Sequence, residues 1–521
     1  MREIYGPTLA GLYRDGAQRA ADRRLVVVSN VRPADVSLGE LHARGEIAGA
    51  NLRALGVEPG DVVAVQLPAW SEWLVAAVAA AHCGAVLLPV VSIYGARELG
   101  FILRQSQAKI LITPDTFRKA DFAAIVADCG PLPALAHHVV IGAAPAGTVP
   151  WSELERSVPV QEAHSSSPDD MAMLVYTSGT TADPKGVRHS HRTLIAELSA
   201  TAWQRRAIPD ERIFSPWPPG HVAGAISLMR FLAGDASMVL ADQWDAGTAA
   251  ELIERHAINS SSFTPFHLSG ILDAADRDRR DLSSLTNCLV GAAPVPAGLI
   301  ARAEARGLRP YRSYGSSEHP TVTAGNSDDP IEKRLGTEGR LTRGNEMAFV
   351  DEEGRFLPDG EEGELVTRGP ELFLGYFDAS LDAEAFLPGR WFRTGDIGRR
   401  DADGYLVITD RKKDVIIRGG ENISSREVED ILFTHPDIVE AAVVAAPDAR
   451  MGEVVCAFVI VRPGAQLTLG SVAEHFAQAG IARAKTPERL EIVEDFPRNA
   501  TGKVLKHQLR AAARAIAGQA T

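Results

Sequence analysis

The sequence predicts an α/β fold: a large N-terminal domain of parallel-type sheets, a β-rich subdomain, and a small C-terminal α+β domain. Three observations predict it. Short apolar runs alternate with helical patterns over the first two-thirds of the 521 residues, as when helices cover both faces of a sheet. From about residue 335 the segments become strands joined by turns. Beyond Arg411 strands and helices mix again over a length ordinary for one domain. The expected units are therefore 1–410, with the β-rich subdomain at about 335–410, and 411–521.

Taken in order, Leu38–Leu55 has helical spacing of apolar residues and Val62–Leu67 reads as a strand. Leu74–Val91 is the longest apolar stretch, interrupted by His82, Gly84 and Pro89. Its Ala-rich first part reads as a buried helix and its β-branched second part as a buried strand, not as a membrane span. Ile110–Thr113 and Ala236–Leu240 are further strands, Ala249–His256 is a helix, and Ser165–Pro168 is a loop. Gly363–Arg368 and Tyr405–Thr409 are strands of the subdomain, with a hairpin turn at Asp401–Gly404. Ser424 and Glu427 have the spacing of a capping box, opening a helix that runs to Phe433. Strands at Val439–Ala445 and Val454–Val461, a helix at Leu469–Gln478, a strand at Leu490–Val493 and a tail helix from Val504 complete the chain.

The chain carries 54 Lys and Arg against 67 Asp and Glu, a net charge of −13 with His neutral. An acidic chain gains nothing from a phosphate backbone, so no nucleic-acid partner is expected. No polybasic tract points to an anionic membrane. Cys83, Cys129, Cys288 and Cys456 are far apart, with no Cys-x-x-Cys. They fit small buried hydrophobes in a reducing compartment, not a zinc site or a disulfide framework. The opening residues show no apolar run or cleavage site, so no secretory signal and a cytoplasmic location are expected. The sequence leaves assembly open, a homodimer included.

The sharpest signal is Met171–Val187, MAMLVYTSGTTADPKGV. An apolar strand leads into Thr177, Ser178, Gly179, Thr180 and Thr181, and Lys185 follows. Hydroxyls, exposed backbone amides and one ammonium suit a polyphosphate. The spacing is not the Walker pattern, because five residues separate Gly179 from Lys185 and Gly186 follows the lysine. No dinucleotide fingerprint is present. Such a run alone is as often a polar hairpin loop. The strand before it and the lysine after it favour phosphate.

Seven further strings stand in order: PWPPGHVAG at Pro216–Gly224, CLVGAAP at Cys288–Pro294, YRSYGSSEHP at Tyr311–Pro320, RWFRTGDIG at Arg390–Gly398, DRKKD at Asp410–Asp414, RGGENI at Arg418–Ile423, and FPRNATGK at Phe496–Lys503. With the loop, they make the chain resemble the superfamily of adenylate-forming enzymes over nearly its whole length. That superfamily includes acyl-CoA synthetases, the adenylation domains of nonribosomal peptide synthetases, and firefly luciferase. The chain departs from it at Ala182, where the loop usually has Gly, at Ala292, where a second Gly is usual, and at Ser317, where Thr is usual.

The resemblance implies an ATP site made of Thr177, Ser178, Gly179, Thr180, Thr181, Lys185, Gly291, Ala292, Ala293, Pro294, Tyr314, Gly315, Ser316, Ser317, Asp396 and Arg411. Within it, Tyr314 packs on adenine, Ser317 touches the α-phosphate, Asp396 and Arg411 hold the ribose, and Glu318 binds Mg2+. Lys503, with Lys185 and His221, forms the implied catalytic set; Lys503 bridges the carboxylate and the α-phosphate. Lys413 is the implied hinge of a mobile small domain, and Gly419 and Gly420 lie beside the coenzyme A arm. His221, Gly224, Phe266 and Val290 line the implied acyl pocket, whose small and apolar residues suit an uncharged acyl group. His189 and His191 are expected only to cap the next helix.

The activity implied is an ATP-dependent carboxylate–CoA ligase acting through an acyl-adenylate. Its partners are a small carboxylic acid (medium-chain, alicyclic or aromatic), ATP with Mg2+, and coenzyme A. Two alternatives are an adenylating enzyme that loads a separate carrier protein and a non-catalytic nucleotide-binding protein.

Overall fold

Two open, largely parallel sheets form the large domain of the computed structural model, which describes residues 6–177, 184–205, 208 and 210–519. The nine-stranded sheet runs in the order Arg340–Leu341, Thr323–Ala324, Tyr311–Tyr314, Asn287–Val290, Ser260–Phe263, Arg212–Ser215, Ser237–Ala241, Arg24–Val28, Ala34–Ser37. Its central six strands are parallel and its edges antiparallel. The eight-stranded sheet has Val62–Val65 between Val86–Pro89 and Ile110–Pro114, all parallel. Met171–Thr177 extends it in parallel, and Lys185–Ser190 then turns back antiparallel.

The ambiguous apolar stretch resolves as expected. Helix Ser71–Cys83 is buried on every side and strand Val86–Pro89 follows it. A helix apolar all round has no face to offer water, so it lies inside. Helix Leu38–Ala54 packs along it and opens with a full capping box, Ser37 with Glu40. Among the described residues no helix is long and apolar enough to cross a membrane.

The β-rich subdomain is a five-stranded antiparallel sheet: Glu346–Val350, Gly363–Arg368, Trp391–Arg400 and Phe386–Leu387, with Leu406–Arg411 pairing onto Trp391–Arg400. Strand Gly363–Arg368 has the bounds expected, and Asp401–Gly404 makes the turn, with Gly404 at φ 86°. The last strand runs two residues past Thr409, carrying Arg411 into the pairing opposite Asp396.

The C-terminal sheet is Glu421–Ile423, Ile416–Arg418, Gly452–Val461 and Ile438–Asp448, with Arg489–Ile492 parallel to Gly452–Val461. Helices Ser425–Leu432, Leu469–Gln478 and Lys506–Gln519 accompany it. Ser424 caps the first by accepting from the Glu427 amide at 3.1 Å, but the Glu427 carboxylate turns to Lys485 at 2.6 Å instead of closing the box. The small domain seats on the large one through Arg426, which donates to Glu338 at 3.0 Å beside Arg312. All three charged groups are largely buried there.

Parallel strands end on one side of a sheet, and the crevice outside their carboxyl ends is where open α/β sheets take ligands. Met171–Thr177 ends there from one sheet, and Asn287–Val290 and Tyr311–Tyr314 end there from the other. The three motif-bearing segments leave these strand ends.

Candidate active site

The best-defined cluster joins residues far apart in sequence. Tyr314 leaves the end of its strand and donates its hydroxyl to Asp396 Oδ2 at 2.5 Å. Arg411 donates to Asp396 Oδ1 at 2.5 Å. Asp396 is 5% exposed and sits in the middle of the long strand Trp391–Arg400, opposite Arg411 in the ladder. The pairing of two strands thus holds a carboxylate and a guanidinium together, and Tyr314 reaches them from the nine-stranded sheet. Beside them a cavity of about 290 Å³ is lined by Thr394, Gly395, Arg411, Lys412 and Lys413.

Lys503 enters this cluster from the C-terminal turn. Arg411 nearby, and then the surrounding protein, hold its ammonium down to about 7 from 10.5, with Lys413 adding to the effect and Asp396 and Asp414 opposing it. The turn is built tightly: Asn499 Oδ1 accepts from the amides of Thr501 and Lys503 at 3.0 Å each. Gly502 takes φ 80°, which a side chain rarely adopts.

His221 is the N-cap of helix Val222–Leu232, its Nδ1 accepting from the Ala223 amide at 3.2 Å. It stacks on Trp217 at 5.8 Å. Burial, and then the nearby Lys503, hold its pKa at about 4, so the ring is neutral at pH 7. Gly224, in the first turn of that helix, is there for close packing: a Cβ would sit 2.1 Å from the Pro218 carbonyl oxygen. Val290 is fully buried at the end of its strand. Phe266 is instead 37% exposed, and a Cβ on Gly502 would lie 2.7 Å from its ring. Phe266, expected to line the acyl pocket, packs beside Trp244 and His267 and also meets the turn that carries Lys503.

On the phosphate side, Ser178, Gly179, Thr180 and Thr181 lie outside the described residues. Thr177 and Lys185, which flank them, face each other in the antiparallel ladder. Lys185 Nζ stands 5.1 Å above the ring of Tyr376, and Tyr376 donates its hydroxyl to Glu318 Oε1 at 2.8 Å. Tyr376 is a site residue that sequence reasoning missed; its one signal was an aromatic after Gly375 in the string LGYF. Ser316 and Ser317 belong to the same turn, and Gly315 has no room for a side chain, since a Cβ would lie 1.8 Å from the Pro320 carbonyl oxygen.

His189 does more than cap a helix. It is fully buried and its Nε2 lies 2.8 Å from the Ser317 carbonyl, tying the phosphate hairpin to the Tyr314–Glu318 turn. His191 Nδ1 accepts from the Leu9 amide at 3.2 Å. Behind the turn, Glu371 and Glu197 are buried together; burial and then Glu197 raise the Glu371 carboxyl well above its usual range. Gly291 adjoins Ser313, while Ala292 is held at φ 62°, a left-handed conformation in a residue with a Cβ. Ala293 and Pro294 continue that turn. Gly419 and Gly420 are the two-residue turn of a hairpin pairing Arg418 with Glu421, both at positive φ. The hydrogen bonds of Arg418 and Gly419 stay within the small domain, to Glu488 and to Met451, so this hairpin is not drawn to the Asp396 cluster.

The AMP-binding enzyme family matches residues 13–377, and its C-terminal domain matches residues 427–503. The chain belongs to that family. It is 34% identical over 516 residues to the medium-chain fatty-acid–CoA ligase of Escherichia coli, covering 97% of this chain and 91% of the relative. It is 35% identical over 486 residues to the 3-[(3aS,4S,7aS)-7a-methyl-1,5-dioxo-octahydro-1H-inden-4-yl]propanoyl:CoA ligase of Mycobacterium tuberculosis, covering 89% of this chain and 91% of that one. Among solved structures, the anthranilate CoA ligase AuaEII in complex with anthranoyl-AMP superposes with a TM-score of 0.89 at 26% identity, covering 99% of this chain and 98% of that one. As a member of the AMP-binding family, the chain is an acid–thiol ligase that uses ATP and coenzyme A. The first match ends at Phe377, one residue past Tyr376, and the second ends at Lys503.

Proposed function

We propose that the chain activates a medium-chain, alicyclic or aromatic carboxylic acid as its acyl-adenylate and passes the acyl group to coenzyme A, with the residues around Asp396 and Lys503 performing the first step. The observation that carries this is that the turn bearing Lys503 brings its ammonium close enough to Arg411, Asp396 and His221 for their charges to act on one another. A lysine brought near Arg411, Asp396 and a neutral histidine is placed to join two anions. Relatives that act on a medium-chain fatty acid and on a fused-ring propanoyl acid support the class of acid.

A carboxylate is a poor acyl donor because oxide is a bad leaving group. Its oxygen attacks the α-phosphorus of ATP, the bond to the bridging oxygen breaks, and pyrophosphate leaves. The products are pyrophosphate and the acyl-adenylate, a mixed anhydride in which AMP is now a good leaving group. Crowded negative charge is the obstacle, so catalysis is positioning and charge stabilisation. Asp396 accepts the ribose hydroxyls, a role its two oxygens suit once Tyr314 and Arg411 have fixed its plane. Lys503 bridges the acid and the α-phosphate; Lys185 faces the departing phosphates. His221, neutral at pH 7, donates from the nitrogen its cap bond leaves free. In the second step the thiol of coenzyme A adds to the carbonyl and AMP departs.

Glu318 fits a magnesium ion that arrives with the nucleotide. Such an ion takes one or two carboxylates and fills its remaining positions with phosphate and water. Among the described residues no cluster of three metal-ligating side chains exists to build a protein cage. When bound, the ion supplies neutralisation of phosphate charge.

The test is release of AMP and pyrophosphate with coenzyme A across a panel from acetate to palmitate, with benzoate and cyclohexanecarboxylate included. AMP release that requires both the acid and coenzyme A supports the proposal. Pyrophosphate exchange without thioester would overturn the second half and leave a carrier protein as acceptor. No exchange with any acid would sink the whole.

A further inference from the structure

Phe266 sits at a junction that the adenylation chemistry does not by itself explain. It is the second residue of helix Pro265–Asp278, whose start is fixed by Pro265 and by the Thr264–His267 capping box. The helix therefore presents this side chain at a rigid end. Trp244 at 6.1 Å and His267 at 5.8 Å pack beside the ring, and Trp244 and His267 are 4.4 Å apart. On the other side, Phe266 meets the C-terminal turn: a Cβ on Gly502 would lie 2.7 Å from Cδ1 and 2.9 Å from Cγ. The guanidinium of Arg498 stands 5.2 Å from the ring centre. Arg498 also donates to the Gly502 carbonyl at 3.0 Å and to Glu440 at 2.6 Å, so it is anchored to the turn and to the small-domain sheet at once. Gly502 immediately precedes Lys503.

We propose that Phe266 is the seat of the lysine turn: its ring fixes where Gly502 and Arg498 come to rest, and so where the Lys503 ammonium lies. It is a positioning residue, acting through Lys503. The inference rests on the ligase reading of Lys503. The physics is simple. A large flat ring against a glycine backbone defines a stop with a sub-ångström tolerance, and a cation over the ring face adds attraction. Removing the ring leaves the turn free to overshoot, and a displacement of about 1 Å at a catalytic group can lower a rate by about a hundredfold.

The consequence is a split between half-reactions. Only adenylation needs Lys503 in this position, so loss of the seat should slow adenylation and leave attack of the thiol on a preformed adenylate far less affected. The experiment uses the full chain and the best acid from the panel, comparing wild type with Phe266→Ala, Phe266→Tyr and Lys503→Ala. Pyrophosphate exchange reports the first step, and thioester formation from chemically prepared acyl-adenylate reports the second. Phe266→Ala is expected to lower exchange kcat by about ten- to a hundredfold, at least tenfold more than thioester formation, and Phe266→Tyr to restore it. In a Lys503→Ala background the same substitution should lower exchange no further, because the seat then has nothing to place. Equal losses in both half-reactions, a full effect in the Lys503→Ala background, or a change confined to KM for the acid would overturn the proposal. The last of these would make Phe266 a wall of the acyl pocket. A wild type that exchanges no pyrophosphate with any acid would instead sink the ligase reading.

Discussion

Raising the pH tests the charge on Lys503 directly. Arg411 beside it, and then the surrounding protein, hold its ammonium at about 7 instead of 10.5. The cation is the form that can join a carboxylate to a phosphate. In the free enzyme that form is half gone near pH 7 and falls about tenfold for each further unit. A bound triphosphate places negative charge beside the ammonium and lifts its pKa again. The two kinetic parameters should therefore separate. In pyrophosphate exchange, kcat/KM for ATP reports the free enzyme, and kcat reports the complex. The expected result is a fall in kcat/KM that begins at about pH 7 and reaches about a hundredfold at pH 9, while kcat holds to a higher pH. Arg411→Gln removes the largest depressing charge, so its break should move upward even as ribose binding weakens. The assay is exchange of labelled pyrophosphate between about pH 6 and about pH 10 at saturating acid. A flat wild-type kcat/KM up to pH 9, or an unmoved break in Arg411→Gln, would refute the charge assignment.

Three other expectations are checked more quickly. Lys503→Ala should cost about a hundred- to a thousandfold in pyrophosphate exchange and spare conversion of supplied acyl-adenylate to thioester, as both half-reactions will show. Arg426→Ala leaves Glu338, at 8% side-chain exposure, with Arg312 alone. Breaking such a buried pair costs about 3–5 kcal/mol, part of it recovered through Arg312, so the segment 410–414 should be cleaved faster by trypsin in the absence of ligands. Ala292→Gly relieves a left-handed alanine worth about 1–2 kcal/mol and adds about 0.4–1 kcal/mol of unfolded-chain freedom. The net is a large domain more stable by up to about 1.6 kcal/mol, visible as a higher urea midpoint.

Strands and helices with one clear period were legible in the sequence. Gly363–Arg368 and Leu469–Gln478 have the expected bounds, because turn residues and capping act over a few residues. The candidate residues carried on unusual strings stand out in the sequence too: Tyr314 bonds Asp396 in the structure, and Lys503 lies near that pair. Their partners were not. Tyr376 reaches Glu318 from 58 positions away, His189 reaches Ser317 from 128, and Glu197 meets Glu371 only through the fold. Such contacts are made by the order and packing of strands within the large domain, and no local pattern marks the residues that make them. Glu427 shows the same limit in miniature: its spacing announced a capping box, and a lysine 58 residues on captured its carboxylate.

The four cysteines, expected and found buried, have a practical consequence. Burial pushes the thiols of Cys83, Cys288 and Cys456 up to about 11, 12 and 12. At neutral pH fewer than about one in a thousand of these sulfurs is thiolate, the form that alkylating probes attack. A cysteine introduced on an exposed surface would therefore be labelled almost alone in an otherwise native chain. One such handle on each side of Lys413 makes a ruler across the two bodies, and the distance between them can be followed as acid, nucleotide and coenzyme A are added in turn.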